Sequence, residues 1–143
     1  VVPFEFGPDA PEPNRAISLW PDASLADDRL SVLDEYVLMD QDAEGDPTKF
    51  GVSATSGWAA YVLDGTAFCK SFDLDEHAVY PDRGSPVELY TDGNIFELES
   101  LAPLTELEPD ETATYTETWH LFDDVDVPET AEDVVDAPYP AGE

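Results

Sequence analysis

The chain is poor in cysteine, histidine and positive charge. Cys69 is the one cysteine in 143 residues, which excludes an intramolecular disulfide framework and any metal site built from several thiolates. The two histidines, His77 and His120, stand far apart without ligand spacing, so no metal is expected. Five basic residues face thirty-four acidic ones, for a net charge of −29. A surface this negative repels phosphate and argues against nucleic acid as a partner. Long apolar runs are missing as well. None approaches the roughly 20 residues a spanning helix requires, so no membrane partner is expected. The opening residues, Val1-Val2-Pro3-Phe4-Glu5-Phe6, have neither the basic start nor the continuous apolar stretch of a signal peptide. A cytoplasmic protein is expected, and a Val rather than a Met at position 1 fits a processed fragment. With no P-loop, no dinucleotide glycine pattern and no Ser-His-Asp order, no cofactor is expected.

What is present is enough to build a core. Three Trp, six Tyr and seven Phe accompany the aliphatic residues, so wholesale disorder is excluded despite the charge. The acids are spread along the whole chain between hydrophobic residues. They are not gathered into one acidic tail, nor bunched at the D-x-D-x-D-G spacing of a calcium loop. That distribution is the pattern of a halophilic, acidic surface, where net charge maintains solubility while straining the compact state.

The prolines divide the chain. Pro3, Pro8, Pro11, Pro13 and Pro21 make residues 1–22 a Pro-rich extended arm. Pro128, Pro138 and Pro140, set among acids, make residues 123–143 a loose acidic tail. Between them, residues 23–122 alternate with period two. Tyr36–Met39 and Lys49–Ser53 are short strands. Trp58–Leu63 and Thr66–Phe72 flank Asp64-Gly65, whose residues take the positive φ of a tight type I′ hairpin turn. Val87–Thr91 and Ile95–Leu101 flank Asp92-Gly93-Asn94 as a second hairpin, and Thr112–Phe122 is a long last strand rich in Thr, Tyr and Trp. Only Ser24–Leu33 has room for a helical turn or two. The fold class expected is all-β, an antiparallel β-sandwich.

In a chain this short of cations, each of Arg15, Arg29, Lys49, Lys70 and Arg83 is expected to have a partner. Lys70 lies between Phe68 and Phe72 on one strand face. It is therefore either a structural ion pair at the core edge or a contact to a substrate hydroxyl or anion. In Phe96-Glu97-Leu98-Glu99-Ser100-Leu101, Glu97 and Glu99 share a face with their Cα atoms roughly 7 Å apart. Such carboxylates can divide acid and base roles, or simply form a solvated acidic face. Trp58 and Tyr90 are aromatic rings on which an apolar sugar face can stack, or else core residues. His77 is expected in an exposed loop and His120 in a structural position.

Several phrases in series carry a resemblance. They are Asn14-Arg15-Ala16-Ile17-Ser18-Leu19-Trp20-Pro21, Asp28-Arg29, Lys49-Phe50-Gly51, Gly57-Trp58-Ala59-Ala60-Tyr61 and Leu63-Asp64-Gly65 leading to Phe68-Cys69-Lys70. They continue with Tyr80-Pro81-Asp82, Val87-Glu88-Leu89-Tyr90-Thr91, Phe96 to Leu104, and Leu107-Glu108-Pro109-Asp110-Glu111 running to Trp119. Over residues 14–122 this order resembles the C-terminal half of bacterial and archaeal proteins with the galactose-mutarotase-like supersandwich fold, here in a haloarchaeal type. The resemblance implies a sugar-binding cleft on the concave face of a twisted sheet. It also implies a late-strand glutamate as general base, with Glu99 nearest and Glu97 second. The acid histidine of aldose 1-epimerases comes from the earlier half and has no counterpart in this sequence. Asp110 stands where the family turn has Gly, a substitution that the left-handed tolerance of Asp permits.

Three functions follow as expectations. The first is a carbohydrate-binding module, with Lys70, Glu88, Glu97 and Glu99 converging on one concave face and Arg15, Trp58 and Tyr90 as further sugar contacts. The second is an epimerase, an isomerase with Glu99 as general base. The third is an assembly module, completed as a homo-oligomer or by a second chain across exposed apolar sheet.

Overall fold

The computed structural model describes residues 1–5, 11, 13–53 and 56–140. Among these, ten strands carry nearly all the regular structure: β1 (Val2–Pro3), β2 (Ile17–Leu19), β3 (Leu30–Val32), β4 (Tyr36–Met39), β5 (Thr48–Val52), β6 (Trp58–Leu63), β7 (Thr66–Phe72), β8 (Val87–Thr91), β9 (Phe96–Ser100) and β10 (Glu117–Asp123). One layer is a four-stranded antiparallel sheet in the order β2-β5-β8-β9. The opposing layer consists of two three-stranded pieces, β3-β4-β1 and β6-β7-β10. They meet where the Val1 nitrogen donates to the Ala60 carbonyl at 2.7 Å and the Ala60 N–H donates to the Val1 carbonyl at 2.9 Å. That mutual exchange is an antiparallel pairing, so the second layer runs β3-β4-β1-β6-β7-β10. The architecture is an all-β antiparallel sandwich.

Between the layers lies the main core. Phe50, Val52, Val87 and Leu89 project inward from the four-stranded sheet and meet Val2, Val37, Met39, Ala59 and Phe72 from the other. Phe50 and Leu89 are wholly buried, each stabilising the fold by about 2–3 kcal/mol relative to exposure. A second core lies on the far side of the second layer. There Trp58, Ala60, Ala67 and Cys69 are covered by Val125, Val134 and Tyr139.

Both expected hairpins are present. Asp64 (φ 50°) and Gly65 (φ 79°) form the positive-φ pair between β6 and β7, matching the right-handed twist of the flanking strands. Between β8 and β9, Asp92 Oδ1 accepts from the N–H groups of Asn94 (2.7 Å) and Ile95 (3.0 Å) and fixes a four-residue connection. Asp110 takes the left-handed conformation at φ 72°, the position expected to carry glycine.

Three expectations are corrected. Ser24–Leu33 holds no helix: Asp27 Oδ1 accepts from the Arg29 N–H at 3.0 Å, a local turn bond that competes with helix, and Leu30–Val32 pairs with β4 instead. The arm is not merely extended, since Val2–Pro3 pairs with β4 and Ile17–Leu19 with β5, the latter flanked rather than interrupted by Pro13 and Pro21. Pro8 lies outside the described residues. The tail is packed rather than loose. Thr130 and Asp133 form a reciprocal capping box that starts a short helix, Ala131–Asp136. Beyond it Tyr139 stacks on Trp58 with ring centroids 5.4 Å apart. Among the described residues no helix is long and apolar enough to cross a membrane.

Candidate functional site

The outer face of the four-stranded sheet carries the chemistry. Directly paired residues of antiparallel strands share a face, so the register can be read as rows. One row is Ser18–Gly51–Glu88–Glu99. The next is Lys49–Tyr90–Glu97, extended by Trp20, whose N–H reaches the Lys49 carbonyl at 3.4 Å. Both rows alternate with the core residues Phe50, Val87 and Leu89, so they point away from the sandwich interior.

Lys49 is the electrostatic centre. Its Nζ lies 2.7 Å from Glu88 Oε2 and 2.7 Å from Glu99 Oε1, and 5.1 Å from the centroid of the Trp20 ring. Burial pulls the ammonium down, but the bonds to both carboxylates outweigh it and hold the Lys49 pKa above its usual value. Glu88 is 2% exposed. Burial pushes its carboxyl upward, Lys49 opposes, and the nearby Asp82 carboxylate adds to the rise. Glu88 Oε1 meets no hydrogen-bond partner among the described residues, a buried acceptor left unsatisfied at a cost in stability.

A strained turn covers this row. Asp82 (φ 49°), Arg83 (φ 68°) and Gly84 (φ 85°) are successive left-handed residues, costing roughly 1–2 kcal/mol for each of the two that are not glycine. The turn is pinned through the Asp82 carbonyl, which accepts from the Ser18 hydroxyl at 2.8 Å and the Ser85 hydroxyl at 3.0 Å. Ser85 seats against Gly51, where an added Cβ would lie 2.8 Å from the Ser85 Cβ and collide with its hydroxyl. Beside the turn, Ser18, Leu19, Trp20, Pro21, Asp82 and Arg83 line a crevice of about 160 Å³.

Glu88, Glu97, Glu99 and Tyr90 therefore do share one face, with Glu97 exposed and Glu99 partly so. Lys70 does not join them. It lies on the β7 face of Phe72, which packs in the main core, so it approaches β9 from the inner side. Its Nζ donates to the Leu98 carbonyl at 2.5 Å and stands 3.4 Å from Glu117. Burial lowers its pKa, an effect Glu117 partly opposes. The expected convergence of Lys70 with Glu97 and Glu99 is thus corrected: strand alternation sets them on opposite sides of the four-stranded sheet, and Lys49 is the cation of the acidic face. Arg15 is also elsewhere, donating to the carbonyls of Phe4 (3.0 Å) and Asp34 (2.6 Å) and lying over the Phe4 ring. Trp58 is 5% exposed and belongs to the second core. His120 pairs with Cys69, on the far side of the second layer, and His77 sits exposed in the β7–β8 loop.

The sequence reasoning passed over Trp20, Ser18 and Asp82. Ser18 and Trp20 stand two apart, as do Lys49 and Gly51, and that shared spacing was the available signal. Among the described residues no group of three or more His, Cys, Asp or Glu side chains is arranged to hold a metal ion. Set against protein-family models, curated proteins and solved structures, the chain matches none.

Proposed function

We propose that the chain is a carbohydrate-binding β-sandwich module whose binding face is the outer surface of β2-β5-β8-β9. The observation that carries this is the row Trp20–Lys49–Tyr90–Glu97 with Glu99 beside it, Ser18, Gly51 and Glu88 lying buried next to them under the Asp82–Ser85 turn. Aromatic rings alternate there with charged groups of both signs. Sugar rings offer apolar C–H faces that stack on Trp and Tyr, while their hydroxyls both donate to carboxylates and accept from an ammonium, the stronger class of hydrogen bond. Lys49, clamped between Glu88 and Glu99 at 2.7 Å each, is already ordered, which lowers the entropic cost of binding.

Calorimetric titration with a panel of monosaccharides tests the assignment. At least one sugar is expected to bind, with affinity falling about tenfold, or ~1.4 kcal/mol, in Trp20→Ala and in Glu99→Gln. Trp119→Ala, on exposed β10, should bind as the parent does. No heat with any sugar, or binding indifferent to Trp20 and Glu99, would refute it.

A further inference from the structure

Of the five cations in this acidic chain, four are engaged. Arg29 pairs with Asp27, Lys49 with Glu88 and Glu99, and Lys70 with Glu117, while Arg15 donates to the carbonyls of Phe4 and Asp34. Arg83 is the exception. Its side chain is exposed and makes no hydrogen bond or ion pair among the described residues. The adjacent Asp82 carboxylate does not neutralise it and acts on Glu88 instead.

The backbone of Arg83 is a second observation. Asp82, Arg83 and Gly84 take successive φ angles of 49°, 68° and 85°. Asp and Gly enter that region readily, whereas a long side chain such as Arg enters it only where the surroundings impose it. Here they do. The Asp82 carbonyl accepts from the Ser18 and Ser85 hydroxyls, and the Ser85 N–H bonds the Pro81 carbonyl at 3.0 Å. Imposed strain of this kind collects at ligand clamps. The turn sets Arg83 into the lining of a crevice whose apolar wall is Leu19, Trp20 and Pro21. Trp20 also ends the row of Lys49, Tyr90 and Glu97, with Lys49 Nζ 5.1 Å from its ring centroid. One aromatic ring thus belongs both to the face that binds sugar and to the crevice that holds the unpaired guanidinium.

We propose that the sugar taken by this face is an acidic one, a hexuronate whose carboxylate pairs with Arg83 while its ring stacks on Trp20. The inference rests on the carbohydrate reading above and adds to it the charge class of the ligand. A guanidinium presents a planar fork of donors that matches a carboxylate through two parallel bonds. Lys49 cannot take that part, because Glu88 and Glu99 already oppose its charge at 2.7 Å each. The crevice, about 160 Å³, admits one charged substituent and the ring edge that bears it. The net charge of −29 repels every anion and a dianion more strongly, which selects the singly charged carboxylate over a phosphate ester. Distant acids act weakly, since exposed charges more than about 8 Å apart are largely screened at 0.15 M salt. A pair in contact keeps its attraction.

Calorimetric titration of the intact chain with matched pairs tests this: glucuronate against glucose and galacturonate against galactose, at constant ionic strength. At least one uronate is expected to bind about fivefold more tightly than its neutral partner, the yield of a well-formed ion pair at an exposed position. Arg83→Gly should bring the two members of that pair to equal affinity. Because φ 68° lies where glycine meets no steric cost, the same variant should unfold at a urea concentration no lower than the parent's. A uronate bound no better than its neutral hexose overturns the inference while leaving the carbohydrate reading intact. A preference that survives Arg83→Gly does the same, as does tighter binding of glucose 6-phosphate than of either uronate. Earlier unfolding of Arg83→Gly would assign Arg83 to holding the turn and likewise overturn it. Silence from all four sugars refutes the carbohydrate reading itself, and this inference with it.

Discussion

Replacing Lys49 by Met keeps an apolar stem of similar length and removes only the cation bridging Glu88 and Glu99. The two carboxylates should respond differently. The Glu99 side chain is 33% exposed, so water takes over, and Glu99→Gln should cost under about 1 kcal/mol. The Glu88 side chain is 2% exposed and its Oε1 already meets no donor among the described residues. Without Lys49 it becomes a buried, uncompensated carboxylate, a defect worth about 3–5 kcal/mol. The cost must depend on pH with a defined sign. Burial raises the Glu88 pKa above its ordinary 4.5 in the folded chain, so the folded state holds this proton more tightly than the unfolded state. The linked stability is therefore fully present below that ordinary value and lost as pH rises through the raised one. Removing Lys49 takes away the group opposing the rise. The Lys49→Met penalty should then be largest at neutral pH and shrink on acidification toward 4.5 as Glu88 takes up its proton. Urea unfolding of parent, Lys49→Met and Glu99→Gln at constant salt and two pH values measures this. A Lys49→Met cost below about 1 kcal/mol at neutral pH, or one that ignores pH, would refute the reasoning.

Gly51→Ala should destabilise by about 1–3 kcal/mol through overpacking against Ser85, and Ser85→Gly should recover part of that in a double-mutant cycle; additive losses would contradict the contact. Lys70→Met should cost about 1–3 kcal/mol by leaving the Leu98 carbonyl without its donor, measured by denaturation, yet leave sugar affinity unchanged; an affinity loss would return Lys70 to the binding face. Burial pushes the Cys69 thiol up to about 11, so a thiol reagent at neutral pH should react only as fast as the chain unfolds. Rapid reaction of the native protein would contradict the burial.

Local features were legible in the sequence and long-range ones were not. Asp64-Gly65 and Asp92-Gly93-Asn94 announced their hairpins because turn chemistry is written in adjacent residues. The face-sharing rule correctly grouped Glu97 with Glu99, and Lys70 with Phe68 and Phe72. It is silent on which face looks outward. The correct cation emerged only when β5 was found beside β8, which set Lys49 next to Glu88 and Glu99. Trp20 was invisible for the same reason, since its neighbour Lys49 is nearly thirty residues away. At the C-terminal end, the acids of residues 123–143 concealed the apolar residues Val125, Val134 and Tyr139, which close the second core. Composition averages over a segment, whereas packing needs only three well-placed side chains.

The claim that matters most is that sugars bind against Trp20 on the outer sheet face. The indole N–H signals of the three tryptophans, followed by NMR through a monosaccharide titration to roughly millimolar or higher concentration, test it directly. A saturable shift of the Trp20 signal, with Trp58 and Trp119 stationary, is the predicted result. A stationary Trp20 signal across the panel, or a shift confined to Trp119 on β10, would contradict it.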